Sequence, residues 1–121
     1  MGRDADGHTM KGLIIRTSWI DLILQGKKIW EIRGVNTRIR GRIALIKSGT
    51  GRVYGTAELV HCVPLDLLSY QSHIAQHRVE TVQNLPYPKT FAWVLANPVL
   101  FEQPVPYRHP RGAVIWVNVV L

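Results

Sequence analysis

The spacing of apolar residues changes period once near the start of the chain, and the rest follows from that change. Residues 11–16 are a short β-rich run that predicts a first strand. Thr17 or Ser18 is placed to cap a following helix, its hydroxyl accepting from an unpaired N–H. Trp19, Ile20, Ile23 and Leu24 recur at helical spacings and predict an amphipathic helix over 19–25. Gly26 suits the left-handed position just past a helix end. Beyond it the period becomes two, with Trp30 and Ile32 on one face of a strand and Glu31 and Arg33 on the other. A strand that buries Trp30 and Ile32 presents Glu31 and Arg33 together, at a rim or in a cleft. Lys28 has the parity of Trp30, so it joins that pair only through an irregular corner, which a glycine permits. At such a corner Lys28 is expected to face a ligand.

Further along, residues 42–48 alternate as a strand, and Gly49-Thr50-Gly51 marks a hairpin into a long strand from Val53 to about Val63. Val53, Gly55, Ala57 and Leu59 share one face of that strand, and their small size predicts close packing or a bend. Pro64 fits the first turn of a second helix over 65–78. Residues 80–90 read as a loop. Residues 91–101 return to strand character, broken at Pro98, which predicts an edge or bent strand. Three prolines make 102–111 a rigid crossover, and 113–121, apolar on both faces, reads as a central last strand. About six strands and two main helices describe an α+β domain on a small, partly open β-barrel spanning 11–121. Residues 1–10 are left outside it, as a disordered tail or an expression remnant ahead of a start at Met10.

Composition narrows the class. With 121 residues, 46% hydrophobic and 19% charged, the chain suits one globular domain. No apolar run approaches the ~18–20 residues of a bilayer span, and the first ten residues hold no apolar signal core. A cytoplasmic, non-membrane protein is therefore expected, and the single Cys62 fits a reducing compartment. Fifteen Lys and Arg against eight Asp and Glu give a net charge of +7, which suits polyanions, nucleic acid first. Eight of those cations, Lys27, Lys28, Arg33, Arg38, Arg40, Arg42, Lys47 and Arg52, crowd one window in which Glu31 is the sole acid.

Phosphate-loop, dinucleotide and serine-hydrolase motifs are absent from the sequence. His73 and His77 stand four apart on the second helix, but no third ligand is near in sequence, so neither metal nor cofactor is expected. Trp30 and Trp116 read as core. Trp19 and Trp93 are placed to border a cleft where an indole stacks on a base, with Tyr54 and Tyr87 lesser candidates.

Gly26-x-Lys28-x-x-Glu31-x-Arg33 resembles the G-x-K-x-x-E-x-R signature of ASCH domains. Leu13-Ile14-Ile15-Arg16 with Ser18-Trp19, Arg40-Gly41-Arg42-Ile43-Ala44-Leu45, and Gly112-Ala113-Val114-Ile115-Trp116-Val117 are similar to that family's opening, next and last strands. The resemblance implies a PUA-like β-barrel and RNA binding. On this reading Lys28 and Arg33 meet phosphate or a base edge, and Glu31 orients Arg33 or accepts from an exocyclic amine. Arg38, Arg40, Arg42, Lys47 and Arg52 then supply the salt-dependent backbone attraction. The partner is RNA, another single-stranded nucleic acid or a modified nucleoside.

The resemblance also implies two alternatives. Some small ASCH proteins resemble amidohydrolases that deacylate N4-acetylcytidine with the signature lysine, a threonine and a separate glutamate. Here Lys28 and Glu31 would be the catalytic residues, with Glu31 in place of the threonine and Glu58 or Glu80 as the separate acid. A ribonuclease would instead use Lys28 with Ser48 or Tyr54. The second alternative is a protein-interaction module of the transcription-coactivator type.

Overall fold

The computed structural model describes residues 9–121, and among these residues alternating burial and glycine-marked corners give six strands and three short helices. In chain order these are β1 Thr9–Ile15, α1 Thr17–Leu24, β2 Trp30–Arg33, β3 Gly41–Lys47 and β4 Arg52–Leu65, then α2 Leu67–Ser72, α3 Ile74–His77, β5 Thr90–Pro106 and β6 Trp116–Val120. The expectation for the N-terminus falls outside the described residues up to position 8. Thr9 and Met10 already belong to β1, where they pair with Val120 and Val119.

The strands form one mixed sheet in the order β2-β5-β4-β3-β1-β6, with β1 and β3 parallel and every other pair antiparallel. The fold is α+β, as expected, and among the described residues its sheet is open and not closed into a barrel, with β2 and β6 as edges. Strand β3 shows why the sheet sits at the centre of the molecule. Ile43 and Leu45 pack under α1 with Leu13, Ile15, Ile20 and Ile23, while Ala44 and Ile46 pack on the opposite face with Val53, Val117 and Val119. A strand buried on both faces loses its polar alternation, which is why 43–46 is an unbroken apolar run.

Helix α1 ends as its glycine predicts. Gly26 has φ +78°, Gly26 N donates to Ile23 O at 3.0 Å, and Lys27 N donates to Leu22 O at 2.9 Å. That is a Schellman motif, in which two otherwise orphaned carbonyls are satisfied while the chain turns back. The start of α1 differs from expectation. The cap position is Arg16, in extended backbone, and no side chain caps the helix. The expected second helix is split at His73 into α2 and α3, with Asp66 capping α2 through Ser69 N at 2.8 Å.

The bend expected at Pro98 is present: β5 pairs with both β2 and β4 over Phe91–Val94, whereas beyond Val94 its ladder runs with β4 alone. Register shifts along the β4–β5 ladder and a left-handed Asn97, φ +51°, absorb the missing N–H of Pro98. Strand β5 also continues through 102–106, so the crossover is confined to 107–115. Strand β6 is an edge instead of a central strand: Val117 and Val119 point inward, while Val120 on the outer face is exposed. The small residues on β4 mark close packing, since a Cβ on Gly55 would stand 2.2 Å from Val99 O. No helix among the described residues is long and apolar enough to cross a membrane.

Candidate functional site

The period-two strand delivers Glu31 and Arg33 to one face of β2 and Ile32 to the other, where it packs with Leu65, Tyr70 and Ala92. Trp30, on that second face, is half-buried and stacks on His73 with ring centroids 4.7 Å apart. On the Glu31 and Arg33 side, Ile14 of β1 and Trp19 of α1 stand close to the pair. Glu31 pairs directly with Trp93 across the ladder, and Arg33 lies diagonally over that ring with its Cζ 5.5 Å from the centroid.

Arg33 is fixed from two sides. Its Nε donates to Glu31 Oε2 at 2.9 Å, and its Nη2 donates to Ile14 O at 2.8 Å. Among the described residues its Nη1 donates to no protein group. Glu31 is only 4% exposed, so its charge is supported by neighbours and little by water. The second neighbour is Lys28, whose Nζ lies 3.9 Å from Glu31 Oε1. The Schellman turn supplies the irregular corner that lets Lys28 reach the pair despite its parity.

Lys28 does not face open space. It is 1% exposed, donates through Nζ to His77 O, and places its ammonium 4.5 Å from the Trp19 ring centroid. Burial pulls its pKa down to about 8, partly opposed by the Glu31 carboxylate and reinforced by Arg33. His77, which anchors Lys28, is itself fully buried. Its Nε2–H donates to Tyr70 O at 2.7 Å and its Nδ1 accepts from Val79 N at 3.0 Å, so the ring is neutral with a fixed tautomer. Burial holds its pKa below the usual histidine value.

Glu31 and Arg33 open onto a cavity of about 310 Å³ that is also lined by Ile14, Arg16, Trp19, Ile32, Ser48, Tyr87 and Val114. That is the low end of the ~300–1,000 Å³ typical of small-molecule sites. The structure thus brings together Glu31, Arg33, Trp19 and Ser48 of the expected set, with Lys28 behind Glu31 and Trp19. Trp93 is fully buried beneath Arg33, its Nε1 donating to Val35 O at 3.0 Å, so it is a floor and presents no face to a ligand. Lys47 pairs with Asp21 at 3.0 Å and lies 4.3 Å from the Tyr54 ring centroid, and neither Lys47 nor Tyr54 lines the cavity. Arg52 is exposed at the start of β4, opposite Lys47 and thus at the cavity end of the sheet.

The remaining basic residues lie elsewhere. Arg42 is five residues before Lys47 on β3, roughly 17 Å along the strand, and pairs with Glu58 at 3.2 Å. Arg40 donates to Thr37 O and Ile39 O in the preceding loop, where Arg38 is exposed. Neither Glu58 nor Glu80 lines the cavity. No three His, Cys, Asp or Glu side chains cluster to hold a metal among the described residues.

Sequence reasoning missed Arg16 as a site residue and gave Tyr87 a minor part. Arg16 had a signal, a cation at the corner between the first strand and helix. Tyr87 had only its aromatic ring as a signal, because a loop over 50 residues beyond β2 in sequence carries it to the cavity.

The fold is similar to that of the ASCH protein from Zymomonas mobilis, at 19% identity and a TM-score of 0.64, covering 79% of this chain and 72% of that one. A tyrosine-to-phenylalanine variant of the same protein gives a TM-score of 0.66 at 18% identity, covering 79% and 74%. No curated protein gave a significant match. The family model of the ASCH domain matches residues 13–105, the span that carries Glu31, Arg33 and every cavity residue except Val114. The chain therefore belongs to the ASCH domain family.

Proposed function

We propose that this domain binds single-stranded RNA by taking one unstacked nucleotide into the cavity between β1, α1 and β2. The ASCH family is PUA-like and linked to RNA binding or hydrolase activity, and the side chains at the cavity favour binding. The observation that carries the reading is Arg33. Its guanidinium is pre-oriented by Glu31 and Ile14 O, it borders the cavity, and among the described residues no group takes the hydrogens of its Nη1. A fixed guanidinium meets a phosphate or a base carbonyl with little loss of freedom. Trp19 and Tyr87 supply ring faces for a base, and exposed Arg16 adds positive charge at the rim. The hydrolase alternative has less support, because Lys28 is engaged with His77 O and Trp19 behind the cavity wall.

Fluorescence titration with a labelled ten-nucleotide single-stranded RNA tests the reading, with the matching DNA alongside. Arg33→Met is expected to weaken binding about tenfold or more, the scale of a lost charge-assisted hydrogen bond. Trp19→Ala should weaken it similarly, and Arg42→Met should leave it unchanged. Wild-type affinity in both cavity variants would overturn the proposal.

A further inference from the structure

A second cavity, of about 420 Å³, adjoins the first. It is lined by Ile46, Gly49, Gly51, Tyr107, His109 and Ala113, and it shares Ile14, Ser48 and Val114 with its neighbour. The two therefore form one groove across the end of the sheet, divided by three side chains. The first compartment is bordered by charge, whereas the second is mainly apolar with two rings. We propose that the second compartment is a nucleotide subsite, so that the ligand is a strand of at least two consecutive nucleotides. The base next to the one held by Arg33 rests against His109 and Tyr107. This rests on the reading of the first cavity as a nucleotide site.

The geometry of the walls supports it. Tyr107 N donates to Gly51 O at 3.1 Å, tying the 107–115 crossover to the β3–β4 hairpin. His109 is braced at both ring nitrogens, with Nδ1 2.8 Å from Tyr107 Oη and Nε2–H donating to Ala113 O at 3.0 Å. Those bonds hold the rings in place before any ligand arrives, so little ordering remains to oppose binding. The left-handed Gly49 and Gly51, at φ +81° and +67°, turn the hairpin that also lines this compartment. Charge matches as well. Arg52 follows Gly51, and Arg108 and Arg111 flank His109; all three are exposed, where a phosphate joining two bound bases would find them. An apolar, ring-bearing recess rimmed by cations fits a base face and its backbone.

The test compares 5′-phosphorylated dinucleotides, pApA and pUpU, with ADP and UDP, which carry similar charge but lack the second base. Binding is followed by NMR of the 15N-labelled protein at the amides of Arg16 and Arg33 for the first compartment and of Gly49, Gly51 and Ala113 for the second. A dinucleotide should bind about five- to a hundredfold more tightly than its diphosphate, the scale of one stacked base. It should also shift the second set of amides, which the diphosphates leave in place. Ala113→Leu, which fills the recess, and His109→Asn, which removes a ring, should each abolish that gain while ADP affinity stays as in wild type. Equal affinity for dinucleotide and diphosphate would overturn the second subsite and leave the first standing. So would a gain that survives in both variants. Failure of every nucleotide to move the amides of Arg16 and Arg33 would overturn the first reading and this one with it.

Discussion

Glu31 Oε2 lies 2.9 Å from both Nε and Nη2 of Arg33, so a single carboxylate oxygen orients the guanidinium that borders the cavity. The other oxygen faces Lys28 at 3.9 Å. One buried acid thus stands between two cations, and the three charges are a unit. Removing the acid leaves two like charges close together with little water to screen them.

Glu31→Gln is therefore expected to destabilise the fold by about 3–5 kcal/mol, the range for breaking a buried pair. Denaturant unfolding reads this directly. A loss below ~1 kcal/mol, the range of exposed pairs, would mean that the cluster is well solvated. Ligand affinity should fall in the same variant, because Arg33 loses one of its two anchors.

Lys28 gives a pH dependence of definite sign. Its pKa in the folded protein, about 8, is below the 10.5 of the unfolded chain. Between those values the unfolded chain binds the proton that the folded one lacks, so stability rises with pH across the window. Above 10.5 the two states are alike in charge, and the stabilisation is lost as pH falls toward 8. The full difference is about 3 kcal/mol. Lys28→Met should remove it, so the stability of wild type minus variant should rise between pH 8 and pH 10. A difference that stays flat across that range would contradict a buried, depressed Lys28.

Salt dependence separates the two ends of the sheet. Arg16 and Arg52 lie at the cavity end, whereas Arg38, Arg40 and Arg42 belong to the loop and strand start at the other. Charge reversal at Arg16 or Arg52 should lower the slope of log affinity against log salt by about 1 for each phosphate that is no longer neutralised. Reversal at Arg42 should break its pair with Glu58 and leave that slope in place. A slope that responds only to the far end would move the backbone path away from the cavity.

Gly34 and Tyr87 provide an indirect probe of the cavity wall. A Cβ on Gly34 would stand 2.9 Å from two atoms of the Tyr87 ring system. Tyr87 is 42% exposed and can swing away, so Gly34→Ala should reduce stability by only about 1 kcal/mol. Ligand affinity should nevertheless fall about as far as in Tyr87→Ala, and the double variant should be no worse than Tyr87→Ala alone. Additive losses would show that the two residues act separately.

Local physics in the sequence determined a good deal. The helix-to-strand corner at Gly26 was legible because a left-handed C′ residue and a change of period are properties of neighbouring residues. The partnership of Glu31 with Arg33 was legible for the same reason, since residues two apart on a strand share a face whatever lies around them. Strand β3 and the Gly49–Gly51 hairpin were equally local, and the six-strand α+β class followed from counting such segments.

Only the tertiary structure decided which face of each element met water. Trp93 reads as a cleft residue in isolation, yet it is buried because β2 pairs across it and Arg33 lies over it. Strand β6 is apolar on both faces and still forms an edge, because its outer neighbour is solvent and composition does not encode strand order. Lys28 is enclosed by His77 and Trp19, one 49 residues away in sequence, an arrangement that no spacing rule anticipates. Arg16, Ser48 and Tyr87 line one cavity with Arg33 because a parallel β1–β3 pair and a distant loop bring four separate segments to one end of the sheet. Sequence patterns report what a residue's neighbours in the chain make possible. The shape of the cavity depends on long-range pairing, which emerges only once the chain has folded.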